Sequence, residues 1–144
     1  DLVALSAGVL ADGYVAEVAR TFYIGEPTDA VRSLYRRRDH LWDRLIDACR
    51  PGNPASALLD AYEQAGEPLP AMPVAHGLGL GFDPPVVSPA LRATAERDVL
   101  ADGNVLAVTG YVWEPGVGAV FTRDAVVIGA DGPTVLTQTS KGAW

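Results

Sequence analysis

Apolar residues at Val31, Leu34, Tyr35, Leu41, Trp42, Leu45, Ile46 and Cys49 recur at the three-and-four spacing of one helix face. No other feature of the chain restricts its fold as strongly. Thr28 is placed to cap the first turn, and Pro51-Gly52 cannot continue the helix. A shorter helix follows at once. Asn53 reads as its N-cap with Pro54 in the first turn, Leu58, Ala61, Tyr62 and Ala65 as its buried stripe, and Gly66 as its stop. A helical hairpin of this kind must lay its apolar faces on another layer.

That layer is predicted on both sides of the hairpin. Residues 2–6 and 14–22 read as two strands joined by a hairpin turn at Ala11-Asp12-Gly13. Beyond Gly66, Pro68, Pro70 and Pro73 exclude helix, and residues 74–80 form a glycine-studded extended segment. Residues 88–99 suit a short helix before the Asp102-Gly103 turn. Residues 105–113, 119–122 and 125–128 read as strands, and Asp131-Gly132 turns the chain toward residues 134–137. A strand pair, a helical hairpin and then a mostly antiparallel strand set indicate an α+β fold. With 144 residues, 49% of them apolar, the chain suits one domain with a real core. It has no internal repeat, low-complexity tract or domain linker.

Charge and cysteine content remove several classes of function. A net charge of −7 argues against nucleic acid and anionic membrane as partners. Arg36, Arg37 and Arg38, followed by Asp39 and Asp43, read as a solvated helix face. Arg20 reads as an exposed strand-end partner for an acid, and Gly13 and Tyr14 as turn and core. Cys49 is the single cysteine, so no internal disulfide forms; it reads as a buried structural thiol in a cytoplasmic protein. No stretch reaches the roughly 20 apolar residues that span a bilayer, and no signal peptide is visible. Asp1-Leu-Val-Ala-Leu starts inside a strand without an initiator Met, as expected of a piece of a longer protein.

The segment Ser6-Ala-Gly-Val-Leu-Ala-Asp-Gly-Tyr-Val-Ala-Glu17-Val-Ala-Arg20-Thr21 carries a resemblance. It is similar to the metal-binding strand pair of the pita-bread family, which contains the methionine and Xaa-Pro aminopeptidases, prolidase and creatinase. There the pattern runs Asp-x-Gly, a turn, Gly-Tyr, then a second Asp followed by Thr-Arg-Thr. Ala75-His76-Gly77-Leu78-Gly79-Leu80 resembles the family's Gly-His-Gly-Ile-Gly segment, and Gly81-Phe82-Asp83-Pro84-Pro85 the part with a second, substrate-contacting histidine, near which Asp83 falls. Asp102-Gly103-Asn104-Val105-Leu106-Ala107-Val108-Thr109 resembles Gly-Met-Val-Leu-x-Ile-Glu-Pro-Gly. Pro115-Gly116 through Arg123-Asp124 resembles the loop and the Val-Arg-Ile-Glu-Asp segment. The resemblance runs from residue 1 to about 137. It implies a mostly antiparallel curved sheet with a helical hairpin, and residues 1–144 as a single partial pita-bread domain lacking its N-terminal side.

In that family two aspartates, one histidine and two glutamates hold two cations, so the resemblance assigns the five ligand positions to Ser6, Glu17, His76, Thr109 and Arg123. His76 is kept, and Glu17 is altered but acidic. Ser6 and Thr109 are poor ligands for hard cations, and an arginine, which stays protonated, adds a fixed positive charge. Glu114-Pro115-Gly116 mimics a Glu-Pro-Gly signature, but using it breaks the match that follows, so Glu114 is read as a loop residue. The family's second aspartate and last glutamate both bridge the cations. Glu17 and Arg123 stand at those positions, so the guanidinium is expected to replace the lost charge and pair with Glu17, with Ser6 and Thr109 completing a hydrogen-bonded shell.

Three functions are compatible with these residues. The first is a metal-free pseudo-peptidase that binds a peptide or small molecule in the old groove, with Ser6, Asp83, Thr109 and Arg123 lining it and no cofactor. The second is a creatinase-like C–N hydrolase, with His76 as acid–base group and Glu17 orienting it or the substrate. The third is an active Xaa-Pro aminopeptidase with Mn, Co or Zn. The missing half is expected from a longer parent or a partner chain, and the exposed sheet is expected to drive association into a homo-oligomer.

Overall fold

The computed structural model describes residues 1–140. Strands β1 (Leu2–Ala11) and β2 (Tyr14–Tyr23) open it. Asp12 and Gly13 join them with φ of 50° and 87°, the left-handed conformation of a tight two-residue hairpin. Helices α1 (Asp29–Ala48) and α2 (Ala57–Gln64) follow. Next come β3 (Ala75–Leu78), β4 (Phe82–Val87), a 3-10 turn at Pro89–Leu91 and the single-turn α3 (Arg92–Ala95). Strands β5 (Val105–Glu114), β6 (Gly118–Gly129) and β7 (Gly132–Val135) complete the sheet. Its order is β1-β2-β6-β5-β3-β4 with β7 also on β6, and every pairing is antiparallel. The fold is the α+β arrangement that the order of predicted elements implies.

Helix α1 forms where the apolar stripe predicts. The Thr28 hydroxyl oxygen accepts from the Val31 amide at 3.3 Å, satisfying one of the free donors of the first turn. Its buried face meets strand residues of one parity: Leu106, Val108 and Val112 of β5, and Val120, Val126 and Ile128 of β6. Leu41, Leu45, Leu58 and Leu59 are fully buried in this layer, each contributing about 1.5–3 kcal/mol by leaving water. Successive strand residues face opposite ways, so Thr109, Tyr111, Trp113, Phe121 and Arg123 stand on the sheet face away from α1. Helix α2 also braces β5 directly. The Tyr62 hydroxyl donates to the Thr109 carbonyl at 2.9 Å and accepts from the Tyr111 amide at 3.0 Å, continuing the ladder beyond the end of β3.

Several local expectations are corrected. Arg20 is 5% exposed, not a surface partner. Its Nη2 pairs with the Asp124 carboxylate at 2.6 Å, and its other donors reach the carbonyls of Ala19, Arg123 and Ser140 and the Thr122 hydroxyl. Burial is tolerated because each guanidinium nitrogen finds an acceptor. The arginine run of α1 is not one solvated face. Arg36 alone is exposed, Arg37 binds Glu67 and Glu114, and Arg38 is 2% exposed with its guanidinium over the Tyr35 ring.

Asn53 does not cap α2. Its side chain donates to the Ala48 carbonyl, and Ser56 occupies the cap position. Tyr14 is 66% exposed rather than core. The two strands expected over 119–122 and 125–128 are one continuous β6, and Phe82–Val87 is an edge strand despite Pro84 and Pro85. Prolines are compatible with an edge, where the missing N–H faces no neighbour. Cys49 is buried as expected, and burial pushes its thiol up to about 12. No helix of the described residues is long and apolar enough to cross a membrane.

Two predictions follow from this packing. Asp124→Ala leaves the buried Arg20 charge unpaired and is expected to cost about 3–5 kcal/mol in urea denaturation; the double change Arg20→Met, Asp124→Leu is expected to cost less. A side chain at Gly77 would collide with the backbone oxygens of Pro84 and, at 2.8 Å, Asp83. Gly77→Ala is therefore expected to lower the unfolding free energy by about 1–3 kcal/mol, checked by the same titration.

Candidate functional site

The site is built on the sheet face opposite α1. Arg123, in the middle of β6, lies opposite Thr109 of β5 and Ala19 of β2. Glu17, two residues before Ala19, shares that face. His76 of β3 lies opposite Ala107 of β5. Four side chains from four strands therefore converge without help from any loop, which makes their spacing a property of the sheet.

Glu17 is the hub. Its Oε2 accepts from Arg123 Nη1 at 2.9 Å and lies 3.5 Å from His76 Nε2. Arg123 Nε donates to the Thr109 hydroxyl oxygen at 2.9 Å. Glu17 and Arg123 side chains are 22% and 21% exposed, whereas Thr109 and His76 are buried. At this depth a lone carboxylate loses much of its hydration, and the guanidinium supplies the compensating charge through a charge-assisted bond. The pairing of Glu17 with Arg123 and the contact with Thr109 agree with the sequence reading.

His76 is held from three sides. Its Nδ1 is 3.0 Å from the Gly77 carbonyl, its Nε2 faces Glu17, and its ring stacks on Phe82 with centroids 3.8 Å apart at 23°. A neutral imidazole carries one N–H, so the ring donates to both oxygens only when protonated. The sequence does not single out Phe82; its one signal is its position six residues after His76, across the β3–β4 hairpin.

Ser6 and Asp83 stay outside the cluster. Ser6 of β1 pairs with Ala19, two strands from Arg123, which separates their backbones by roughly 10 Å. It is exposed and lines a cavity of about 460 Å³ with Leu5, Ala19 and Phe22. Asp83 Oδ2 accepts from the Leu80 amide at 3.1 Å, so its carboxylate closes its own turn. Glu114 ends β5 and is held by Arg37 at 2.9 Å, away from Arg123. Among the described residues no three His, Cys, Asp or Glu side chains gather in a metal-binding group.

An antiparallel sheet of this order, backed by a helical hairpin, is the pita-bread arrangement. The model of metallopeptidase family M24 matches residues 1–130, and the chain belongs to that family. It is 30% identical to an Xaa-Pro dipeptidase of Lactobacillus delbrueckii subsp. lactis, over 98% of this chain and 39% of that protein. Prolidase from Pyrococcus furiosus superposes with a TM-score of 0.81 at 27% identity, covering 97% of this chain and 42% of that one. The N-terminal domain of FACT complex subunit SPT16 from chickpea (Cicer arietinum), at 18% identity and a TM-score of 0.76, shares the fold. The chain thus spans about two fifths of the length of the relatives it matches.

The strength of the central pair is measurable. A double-mutant cycle between Glu17→Gln and Arg123→Met, read by urea denaturation, is expected to give a coupling of about 0.5–3 kcal/mol. A value indistinguishable from zero would show that solvent screens the pair.

Proposed function

We propose that this chain is an M24 homologue whose dinuclear metal site has been replaced by the Glu17–Arg123 pair, and that it binds a peptide or small molecule without a cofactor. The observation that carries this reading is the guanidinium at the centre of the cluster, donating to Glu17 and Thr109 at 2.9 Å each. A fixed cation there repels a second one. One histidine and one carboxylate do not furnish the ligand number that two hard cations about 3.5–4 Å apart require. The residues do not fit the metal pair.

In this reading Arg123 and Thr109 line the innermost part of the ligand groove. The His76–Glu17 contact of 3.5 Å favours a second reading, a metal-free C–N hydrolase with His76 as acid–base group and Glu17 orienting it. An active Xaa-Pro aminopeptidase using Mn, Co or Zn is the third. We place the chain in the cytoplasm, in keeping with its lone buried thiol. Leu5, Val9, Leu10, Tyr14 and Ile24, exposed around the β1–β2 hairpin, support a covering half-domain, a partner chain or self-association.

The deciding experiment is elemental analysis of the purified chain before and after incubation with excess Mn²⁺, Co²⁺ or Zn²⁺. The expected result is no retained metal. Near-stoichiometric retention overturns this proposal and restores the aminopeptidase reading.

A further inference from the structure

The guanidinium of Arg123 is not used up by the cluster. Nε is committed to Thr109 and Nη1 to Glu17. Nη2 has no partner among the described residues. None of their buried side-chain nitrogens or oxygens lacks a partner, and the Arg123 side chain is 21% exposed, so Nη2 is not a buried orphan among them. A donor fixed at both neighbouring nitrogens and unpartnered at the third is pre-oriented toward an acceptor from outside.

What lies beside it is apolar. Phe121 stands on the same face of β6, two residues before Arg123, and Tyr111 stands opposite Phe121 on β5. Two residues along a strand cover about 6.8 Å, within the reach of one amino-acid side chain. The Tyr111 ring is 6.3 Å from that of Phe121 and 5.4 Å from that of Trp113, in tilted arrangements. All three rings are partly exposed. Tyr111 and Trp113 also form, with Pro70, Ala71 and Met72, a cavity of about 360 Å³. An aromatic shelf therefore begins where the polar cluster ends.

Charge decides the acceptor. Glu17 and Arg123 cancel, so the pair presents a donor without a net positive charge. An anion at Nη2 would lie close to the Glu17 carboxylate, and that repulsion offsets its attraction to the guanidinium. A neutral carbonyl takes the same hydrogen bond without it.

From the unpartnered Nη2 and the adjoining rings, we infer that this site takes an uncharged amide carbonyl on Arg123, with the neighbouring aromatic or large apolar side chain lying on Tyr111, Phe121 and Trp113. The ligand class is an internal or capped peptide segment bearing an aromatic residue, rather than a free carboxylate terminus. The inference rests on the metal-free binding reading above.

The test titrates three probes into the full chain, with calorimetry and saturation-transfer NMR as readouts. They are N-acetyl-L-phenylalaninamide, N-acetyl-L-phenylalanine, which has a carboxylate in place of the amide, and N-acetyl-L-alaninamide, which lacks the ring. The aromatic amide is expected to bind at least about tenfold more tightly than either of the others, the size of one hydrogen bond to a charged group or one buried ring. Arg123→Lys keeps the charge beside Glu17 but removes the fork, and is expected to weaken the aromatic amide about tenfold. Phe121→Leu is expected to reduce its preference over the alaninamide with the fold intact. If Arg123→Lys fails to fold, the wild-type preferences and Phe121→Leu decide. Equal affinity for amide and carboxylate, no binding of the aromatic amide, or unchanged binding in both variants overturns the inference. Any of these with metal absent from the protein overturns the ligand class alone; stoichiometric metal in the same sample overturns the reading beneath it.

Discussion

The antiparallel pairing of β5 with β6 is the constraint on which the molecule depends. It runs from Val105↔Val127 to Glu114↔Gly118 without a slip. Along it one parity (Leu106, Val108, Val112 with Val126 and Val120) enters the core beneath α1, while the other sets Thr109 against Arg123. Because side chains alternate with a period of two, moving either strand by one residue would drive Arg123 into the core and Val108 into the site. The core and the site therefore specify the same register. The Tyr62 hydroxyl, bound to the backbone of Thr109 and Tyr111, fixes that strand from the helical side.

Two arginines on opposite faces of this sheet show how burial is tolerated in different ways. Arg20 lies in the layer behind, almost wholly enclosed, with its guanidinium satisfied by Asp124, a hydroxyl and backbone carbonyls. It ties β2 to β6 and to the segment at Thr139 and Ser140. Arg123 is shallower and incompletely engaged. The first has no capacity left and is structural; the second keeps one nitrogen without a partner among the described residues. Sequence position alone does not separate them, since each is an arginine in an apolar strand.

Much of the fold was legible because periodicity and punctuation agree. The α1 stripe, Thr28, Gly52, Gly66 and the Asp12-Gly13 turn each carry a local physical signal. The Glu17–Arg123 pair was also legible, through the resemblance and its consistent spacing, since 106 residues separate the two in the chain. What was not legible depends on contacts that no short window contains. The burial of Arg20 and Arg38 is set by acceptors on other elements. Asn53 is drawn from its capping role by the Ala48 carbonyl. The β4 strand is hidden by its prolines, which read locally as irregular chain. The aromatic face was readable in part: Thr109, Tyr111 and Trp113 alternate within a strand that the sequence predicts.

A guanidinium at the heart of this cluster is a different kind of component from a bound metal ion. A divalent ion is a separate molecule, with an exchange rate, a dependence on supply and a vulnerability to chelators. The positive charge on Arg123 is attached to β6 by its own side chain. Its occupancy is complete at any dilution, in any buffer and from the moment the strand folds, and its three nitrogens project in one plane rather than in the shell of a coordination sphere. The directions in which this guanidinium can donate are thus fixed by covalent geometry.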